Sequence, residues 1–336
     1  MLWANRFQFC AEESERQMLV NRRLVKLAAR LLLIMATGCM ALAQTTGNKP
    51  SSPRPLSGET MDTVYLNHFF LTVDAESYNA IQSSAFLRDE FAPFEQRTTV
   101  RQDLTYTGSY FYGAHTYFEF FEAGRASGRV LGASGIAFGV EAPGASLRLK
   151  PRLEAAFKMP VAVRPITRRV GDRDLDWFYM TTADGTQPSL LQTWVMEYRD
   201  SFLNDWYGEL KPATRGITRA EILERYTARL GENDKRRQKL LEDVIEITLA
   251  LPDAEGARLL KACEAFGYRA TNSAGKTRCA GPGITLTLIA PNSYVRGIIA
   301  VKFSLRHAKQ GQKTYRFGKS VLQFNDDRTA LWTFQS

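Results

Sequence analysis

Histidine is scarce in this sequence, with three residues in 336 (His68, His115 and His307), and cysteine is nearly so, with four. That leaves few ways to build an imidazole- or thiolate-rich metal centre, and no HExxH zinc motif is present. Glycine-rich phosphate loops of the Walker or dinucleotide type are missing too. Gly132-Ala133-Ser134-Gly135 lacks the elbow pattern expected around a hydrolase nucleophile. Beyond the amino-terminal leader no segment approaches about 20 consecutive apolar residues, so a permanent membrane-spanning helix is not expected. Core-forming residues are ample. Hydrophobic residues make up 44% and aromatics 11%, which excludes a disordered, collagenous or disulfide-dense chain.

Residues 1–43 read as a leader. Arg22, Arg23, Lys26 and Arg30 precede an apolar run from Leu31 to Leu42, and Ala41-Leu42-Ala43 offers a small-residue cleavage site before Gln44. Met18 is a candidate start. The expected location is therefore exported, periplasmic or secreted. A second reading is a lipoprotein anchored at Cys39, because Ala36-Thr37-Gly38-Cys39 is similar to a lipobox. Residues 44–60, rich in Pro, Ser and Gly, read as a flexible tether.

The formal charge of +9 invites a nucleic-acid reading that its distribution removes. Without the leader the chain carries 38 basic and 32 acidic residues, a balance of +6. Residues 211–239 alone hold nine basic and four acidic, or +5. This stretch reads as an exposed, basic helical linker. A nucleic-acid groove would interleave aromatic rings with the charges, and only Tyr226 is there. Cys10 and Cys39 lie in the leader. Cys263 and Cys279 remain as a candidate disulfide, worth roughly 3 kcal/mol if unstrained, with two buried free thiols as the alternative.

Periodicity predicts a strand at Val64–Val73, a helix capped by Asp74, and strands at Thr98–Leu104, Thr107–Tyr112 and Thr116–Glu122. A strand–helix–strands pattern recurs from Gly135 and again from Val244, where Asp253 is the expected helix cap. Thr218 with Glu221 forms a capping box for a helix over 218–230.

Leu66-Asn67-His68-Phe69-Phe70-Leu71-Thr72-Val73-Asp74 resembles the opening strand of glyoxalase-like, vicinal-oxygen-chelate proteins, and Thr116-Tyr117-Phe118-Glu119-Phe120-Phe121-Glu122 is similar to their fourth strand. The mature chain also resembles an uncharacterised family of exported bacterial proteins with a glyoxalase-like first half. The resemblance implies an α+β fold of paired βαβββ modules whose sheet curls into a bowl. It implies this organisation: 1–43 signal peptide, 44–60 tether, 61–205 glyoxalase-like domain of two modules, 206–242 basic helical linker, and 243–336 a carboxy-terminal αβ domain, a candidate degenerate second pair. It also implies His68 and Glu119 as ligands of a divalent metal (Zn, Fe, Mn or Ni), with Glu119 also the catalytic residue. The enzyme would then be a metal-dependent lyase, isomerase or dioxygenase acting on a small oxygenated molecule.

The side-chain alternation of a strand puts His68 on a face with Leu66, Phe70 and Thr72, and Glu119 with Tyr117 and Phe121. Without a metal, Glu119 would pair with an arginine such as Arg97 or Arg101. Glu122 takes its role if the face is reversed. Tyr106, Tyr110, Tyr112 and Tyr117 form a dense group, of which Tyr110, Tyr112 and Tyr117 are candidate ligand-binding residues. Arg88 and Arg101 are candidates to grip a carboxylate or phosphate. The second module departs from the family's pattern. Ala137 stands where a ligand is expected, and Glu197 is one residue out of register with Glu119, which would turn it to the other face. The alternative function is a non-catalytic exported ligand-binding or envelope interaction protein.

Overall fold

A computed structural model of the chain describes residues 61–124, 129–183, 189–207, 216–231, 238–292 and 296–335. The predicted leader and tether lie outside these residues. Four modules follow one another. The first comprises β1 (Tyr65–Val73), α1 (Ala75–Ser83), β2 (Phe94–Val100), β3 (Thr105–Tyr112) and β4 (Tyr117–Glu122). The second comprises β5 (Ser134–Gly139), α2 (Ala145–Phe157), β6 (Ala162–Val170), β7 (Arg173–Thr182) and β8 (Leu191–Tyr198). Helices α3 (Asp200–Tyr207) and α4 (Arg219–Arg229) precede the third, made of β9 (Leu241–Ala250), α5 (Asp253–Ala265), β10 (Arg269–Ser273), β11 (Lys276–Gly281) and β12 (Ile284–Ile289). The fourth is β13 (Gly297–Leu305), β14 (Thr314–Phe317), β15 (Ser320–Phe324) and β16 (Thr329–Thr333).

The modules pair into two eight-stranded sheets of matching order. Sheet A runs β2-β3-β4-β1-β5-β8-β7-β6 and sheet B runs β10-β11-β12-β9-β13-β16-β15-β14. In each of the first three modules the helix returns the chain across the sheet, so first and last strands lie parallel: β1 with β4, β5 with β8, β9 with β12. The first strands of paired modules meet antiparallel at the centre, β1 on β5 and β9 on β13. The fourth module has no helix between β13 and β14, so β14 starts near the end where β13 stops and β16 runs antiparallel to β13. The carboxy-terminal region is thus a second module pair, degenerate in its last unit.

Local signals set the helix ends. Asp74 accepts from Ser77 N at 2.9 Å and opens α1, which buries Tyr78 and Ile81. Thr218 and Glu221 complete the capping box of α4. At α5 the cap position is Pro252 rather than Asp253, which sits in the first turn, where its carboxylate faces the positive end of the helix. No helix among the described residues is long and apolar enough to cross a membrane.

One face of sheet A and one face of sheet B share a single core. Phe118 lies 5.3 Å from Phe303, Phe120 lies 5.1 Å from Trp332, and Phe138 lies 4.7 Å from Phe266 of the α5 end. Polar joints fix the same contact. Asp243 at the start of β9 accepts from His115 N, His115 Nδ1, Thr116 N and Thr116 Oγ1 at 2.7–3.0 Å. Glu255 of α5 accepts from Ser189 Oγ and from the amides of Leu190 and Leu191.

The opposite face of sheet A curls into a cup whose edge strands approach each other. Arg101, just after β2, forms an isolated bridge with Arg168 of β6, and the Gln102 side chain bonds Pro165 O, Thr167 N and Thr167 Oγ1. The equivalent face of sheet B carries Glu246, Thr248, Thr287 and Lys302, with Thr287 Oγ1 donating to Glu246 at 2.6 Å.

Because the sheets share one core, we expect them to unfold together. Trp332→Ala, at a position with no exposure, should cost about 3–5 kcal/mol. Denaturant curves read by near-ultraviolet and far-ultraviolet dichroism should coincide for parent and variant. Two separated transitions would contradict the shared core.

Candidate functional site

The register of β1 on β4 builds the centre of the cup. His68 stands opposite Tyr117 and Phe70 opposite Glu119, so the side chains of four neighbouring residues share one face. Their chain neighbours Phe69, Phe118 and Phe120 turn into the shared core. Two glycines make space for the rings. A Cβ at Gly135 would lie 2.2 Å from Phe70 Cε1, and one at Gly108 would lie 2.6 Å from Phe121 Cε1. Tyr106, Tyr110, Tyr112 and Phe121 complete one wall, and Trp194 and Tyr198 pack from the second module.

His68 and Glu119 meet as expected, with Nε2 3.6 Å from Oε1 and each residue only 5% exposed. The imidazole stacks on Tyr117 at 4.4 Å and meets the edge of Trp194 at 5.5 Å. Asn67 Oδ1, 2.8 Å away, accepts from Nδ1, which leaves the Nε2 lone pair facing Glu119. Burial, helped by the positive charge of Arg97, pushes the His68 pKa down to about 3, so the ring is neutral. Burial pushes Glu119 up to about 7, against the opposing pull of Arg97, Arg129 and a hydrogen bond from Tyr110. Burial also raises the tyrosines, Tyr106 to about 12 and Tyr110, Tyr112 and Tyr117 well above their ordinary value, so they stay neutral hydroxyls.

The arginines divide by position. Arg101 stands at the rim, bonded through Nε and Nη2 to the Asp103 carboxylate. Arg88 is not in the cup. The chain after α1 tightens into a short π-helical turn, Leu87–Phe91, which buries Leu87 and Phe91 and turns Arg88 out to solvent, with Nη1 on Gln82 O. Arg97, named only as a partner for Glu119, is central. It donates to Glu95 and to the Tyr112 hydroxyl and lies 4.2 Å above the Tyr110 ring. Arg129 and Arg168 were not anticipated. Both precede or lie in segments whose pattern gives no sign that they face the cup.

The basic linker also contributes. Helix α4 presses Ile222, Leu223 and Tyr226 into the cup, with Tyr226 stacked 5.7 Å from Tyr112 and its hydroxyl accepting from Arg168 Nη1 at 3.2 Å. Arg219 to Glu141 and Arg229 to Glu95 pin its two ends. One face of this part of the stretch is therefore buried, its apolar stripe covering the site, while Glu224, Ala228 and Arg229 on the other face stay exposed.

The second module supplies no ligand to the pair. Ala137 is the residue opposite His68, and Trp194 is opposite Ala137. Glu197 faces away, as its one-residue offset implies, and its oxygens take the amides of Gly144 and Ser146 at the start of α2. Glu122 is half-buried at the end of β4. His115 binds Asp243 at the sheet junction. His307 is exposed beside a separate surface depression of about 480 Å³ that shares no residue with the cup. Cys263 and Cys279 are buried neighbouring thiols that hydrogen-bond each other.

Among the described residues no three His, Cys, Asp or Glu side chains are grouped to hold one metal ion. The cup offers two donors, an alanine and a tryptophan where further ligands would come from, and guanidinium groups close by. That set does not fit a divalent ion held by three protein ligands.

A family profile matches residues 66–334. The chain belongs to DUF5829, a family of unknown function. No curated protein matches it in sequence. A hypothetical protein from Staphylococcus aureus is similar in structure, with a TM-score of 0.46 at 8% identity, covering 81% of this chain and 98% of that one. The Mn(II)-bound glyoxalase from Novosphingobium aromaticivorans gives 0.36 at 12% identity, covering 82% and 80%. A mutant of 4-hydroxymandelate synthase from Streptomyces coelicolor gives 0.32 at 13%, covering 69% and 64%. The paired βαβββ topology itself makes the fold of this DUF5829 member glyoxalase-like.

The two buried groups oppose each other in pH. His68 has a folded pKa below its ordinary 6.5, so its contribution is fully present above that pH and is lost as pH falls toward 3. Glu119 has a folded pKa above its ordinary 4.5, so its ionisation costs nothing below 4.5 and progressively more up to 7. Glu119→Gln should remove that falling limb. We expect it to gain about 3 kcal/mol on the parent between pH 4.5 and 8, measured by urea denaturation. Equal pH slopes in parent and variant would show that Glu119 is not the titrating group.

Proposed function

We propose that the sheet A cup holds a small oxygenated ligand and that Glu119 exchanges a proton with it. The observation carrying this reading is a carboxylate buried to 5% exposure with no Lys or Arg within ion-pair distance among the described residues. A group held that way is poised near neutral pH, where a general acid–base is most effective. Neutral His68, with its Nε2 3.6 Å from Glu119, adds no positive charge that would pull the carboxylate back to its ordinary range. The tyrosine hydroxyls and Arg97 supply donors for ligand oxygens, and the rings exclude water. Since α4 closes the cup, binding requires this helix to give way, and we expect slow association.

The test is a ligand-observed NMR screen of hydroxy acids, oxo acids and catechols against the full chain, with Glu119→Gln beside it. Compounds whose signal is lost in the variant support the reading. No compound with Glu119-dependent binding would defeat it.

Metal dependence is the competing form, supported by the same His68–Glu119 geometry. It is decided by metal analysis after dialysis against Zn, Mn, Ni or Fe(II). We expect substoichiometric metal, unchanged in His68→Ala and Glu119→Ala. One ion per chain, lost in both variants, would replace the metal-free reading with a metal-dependent one.

A further inference from the structure

Four guanidinium groups are associated with the cup, and two have carboxylate partners. Arg97 is paired with Glu95 at 3.1 Å and Arg101 with Asp103 at 2.7 Å. Among the described residues no carboxylate lies within ion-pair distance of Arg129 or Arg168. Arg168 is nevertheless engaged, donating to the Tyr226 hydroxyl and lying 5.2 Å over the Trp177 ring. Arg129 is different. Its guanidinium lies over both Phe70 and Phe121, 4.2 and 4.4 Å from the ring centres, where the two rings meet edge to face, and its Nη1 is buried with no hydrogen-bond partner. Thr72 Oγ1, on the same face of β1 as Phe70, is also buried and unpartnered. Aromatic contacts orient a guanidinium, but rings cannot satisfy all of its five N–H donors.

Resting on the reading of the cup as a ligand site, we propose that its ligand is an anion, a carboxylate on an apolar body, with the carboxylate received by Arg129 and the body lying among the rings toward Glu119. An incoming carboxylate supplies both the missing charge and the acceptors for Nη1 and Thr72 Oγ1. A neutral ligand would leave the positive charge uncompensated in a half-buried place, with Nη1 still cut off from water. Arg129 itself shows the strain of that position, since burial holds its pKa below the ordinary arginine value even with Glu119 nearby. A phosphate would meet the same charge requirement, but the rings of Phe70, Phe121 and Tyr106 around the guanidinium favour a carboxylate carried on an apolar body.

Benzoate and its neutral isostere benzamide separate these cases, titrated into the full chain by NMR. We expect benzoate to bind at least tenfold more tightly than benzamide, and Arg129→Gln to abolish that preference. Arg129→Lys should keep part of it, and Arg88→Gln, outside the cup, all of it. Arg129→Gln should also melt no lower than the parent, because it removes an uncompensated charge; if Arg129 were a structural ion-pair partner, its melting temperature would fall. Equal binding of the two compounds, no binding of benzoate, or a preference that survives Arg129→Gln would overturn the proposal. Equal binding that is lost in Glu119→Gln would overturn the anion while leaving the cup reading intact.

Discussion

The parallel pairing of β1 with β4 is the constraint on which the molecule depends. Helix α1 carries the chain across the sheet, so the fourth strand returns alongside the first in the same direction, and the register sets His68 against Tyr117 and Phe70 against Glu119. Strand alternation then does two jobs at once. Phe69, Phe118 and Phe120 turn toward sheet B and join the aromatic core around Phe303 and Trp332, while His68, Phe70, Tyr117 and Glu119 turn into the cup. A slip of one residue would exchange the two sets, burying the carboxylate in the core and exposing the phenylalanines. The core therefore locks the chemistry in register.

That constraint explains why the cup can retain groups that are costly to bury. The His68 and Glu119 environments favour the neutral form of each, so their 3.6 Å contact is one between neutral groups rather than an ion pair. The positive groups cannot respond in the same way, because a guanidinium does not release its proton at neutral pH. Carboxylates neutralise Arg97 and Arg101, a hydroxyl and a ring engage Arg168, and Arg129 lies over two rings. The site as a whole carries more positive than negative charge under a lid of apolar residues from α4.

Much of this was readable in the sequence. The β1 and β4 strands gave their faces by alternation, the His68–Glu119 meeting followed from the resemblance, and the outward turn of Glu197 followed from counting. Other features had no local signature. Strand β10 is exposed at every position, so no apolar alternation marks it. The cup role of α4 was hidden because its charged face dominates the composition, while three residues, Ile222, Leu223 and Tyr226, decide where it packs. Arg88 and Arg129 show the same difficulty in opposite directions. One arginine follows a helix whose π-helical turn rotates it outward, and the other approaches the cup from outside any strand.

The two sheets share a strand order but differ in their centres. In sheet A the central strands carry His68 and Glu119 beneath a covering helix. In sheet B the matching face carries Glu246 bonded to Thr287, and its last module lacks the crossover helix. Without that helix the last strand reverses direction relative to the first, so the geometry that brings β1 and β4 side by side in parallel is not reproduced at β13 and β16. Sheet B keeps the face it needs to pack against sheet A, with Phe303 and Trp332 at its centre. Loss of the parallel crossover is tolerable there because packing requires only the core face, whereas a site requires side chains from two strands to meet on the opposite face.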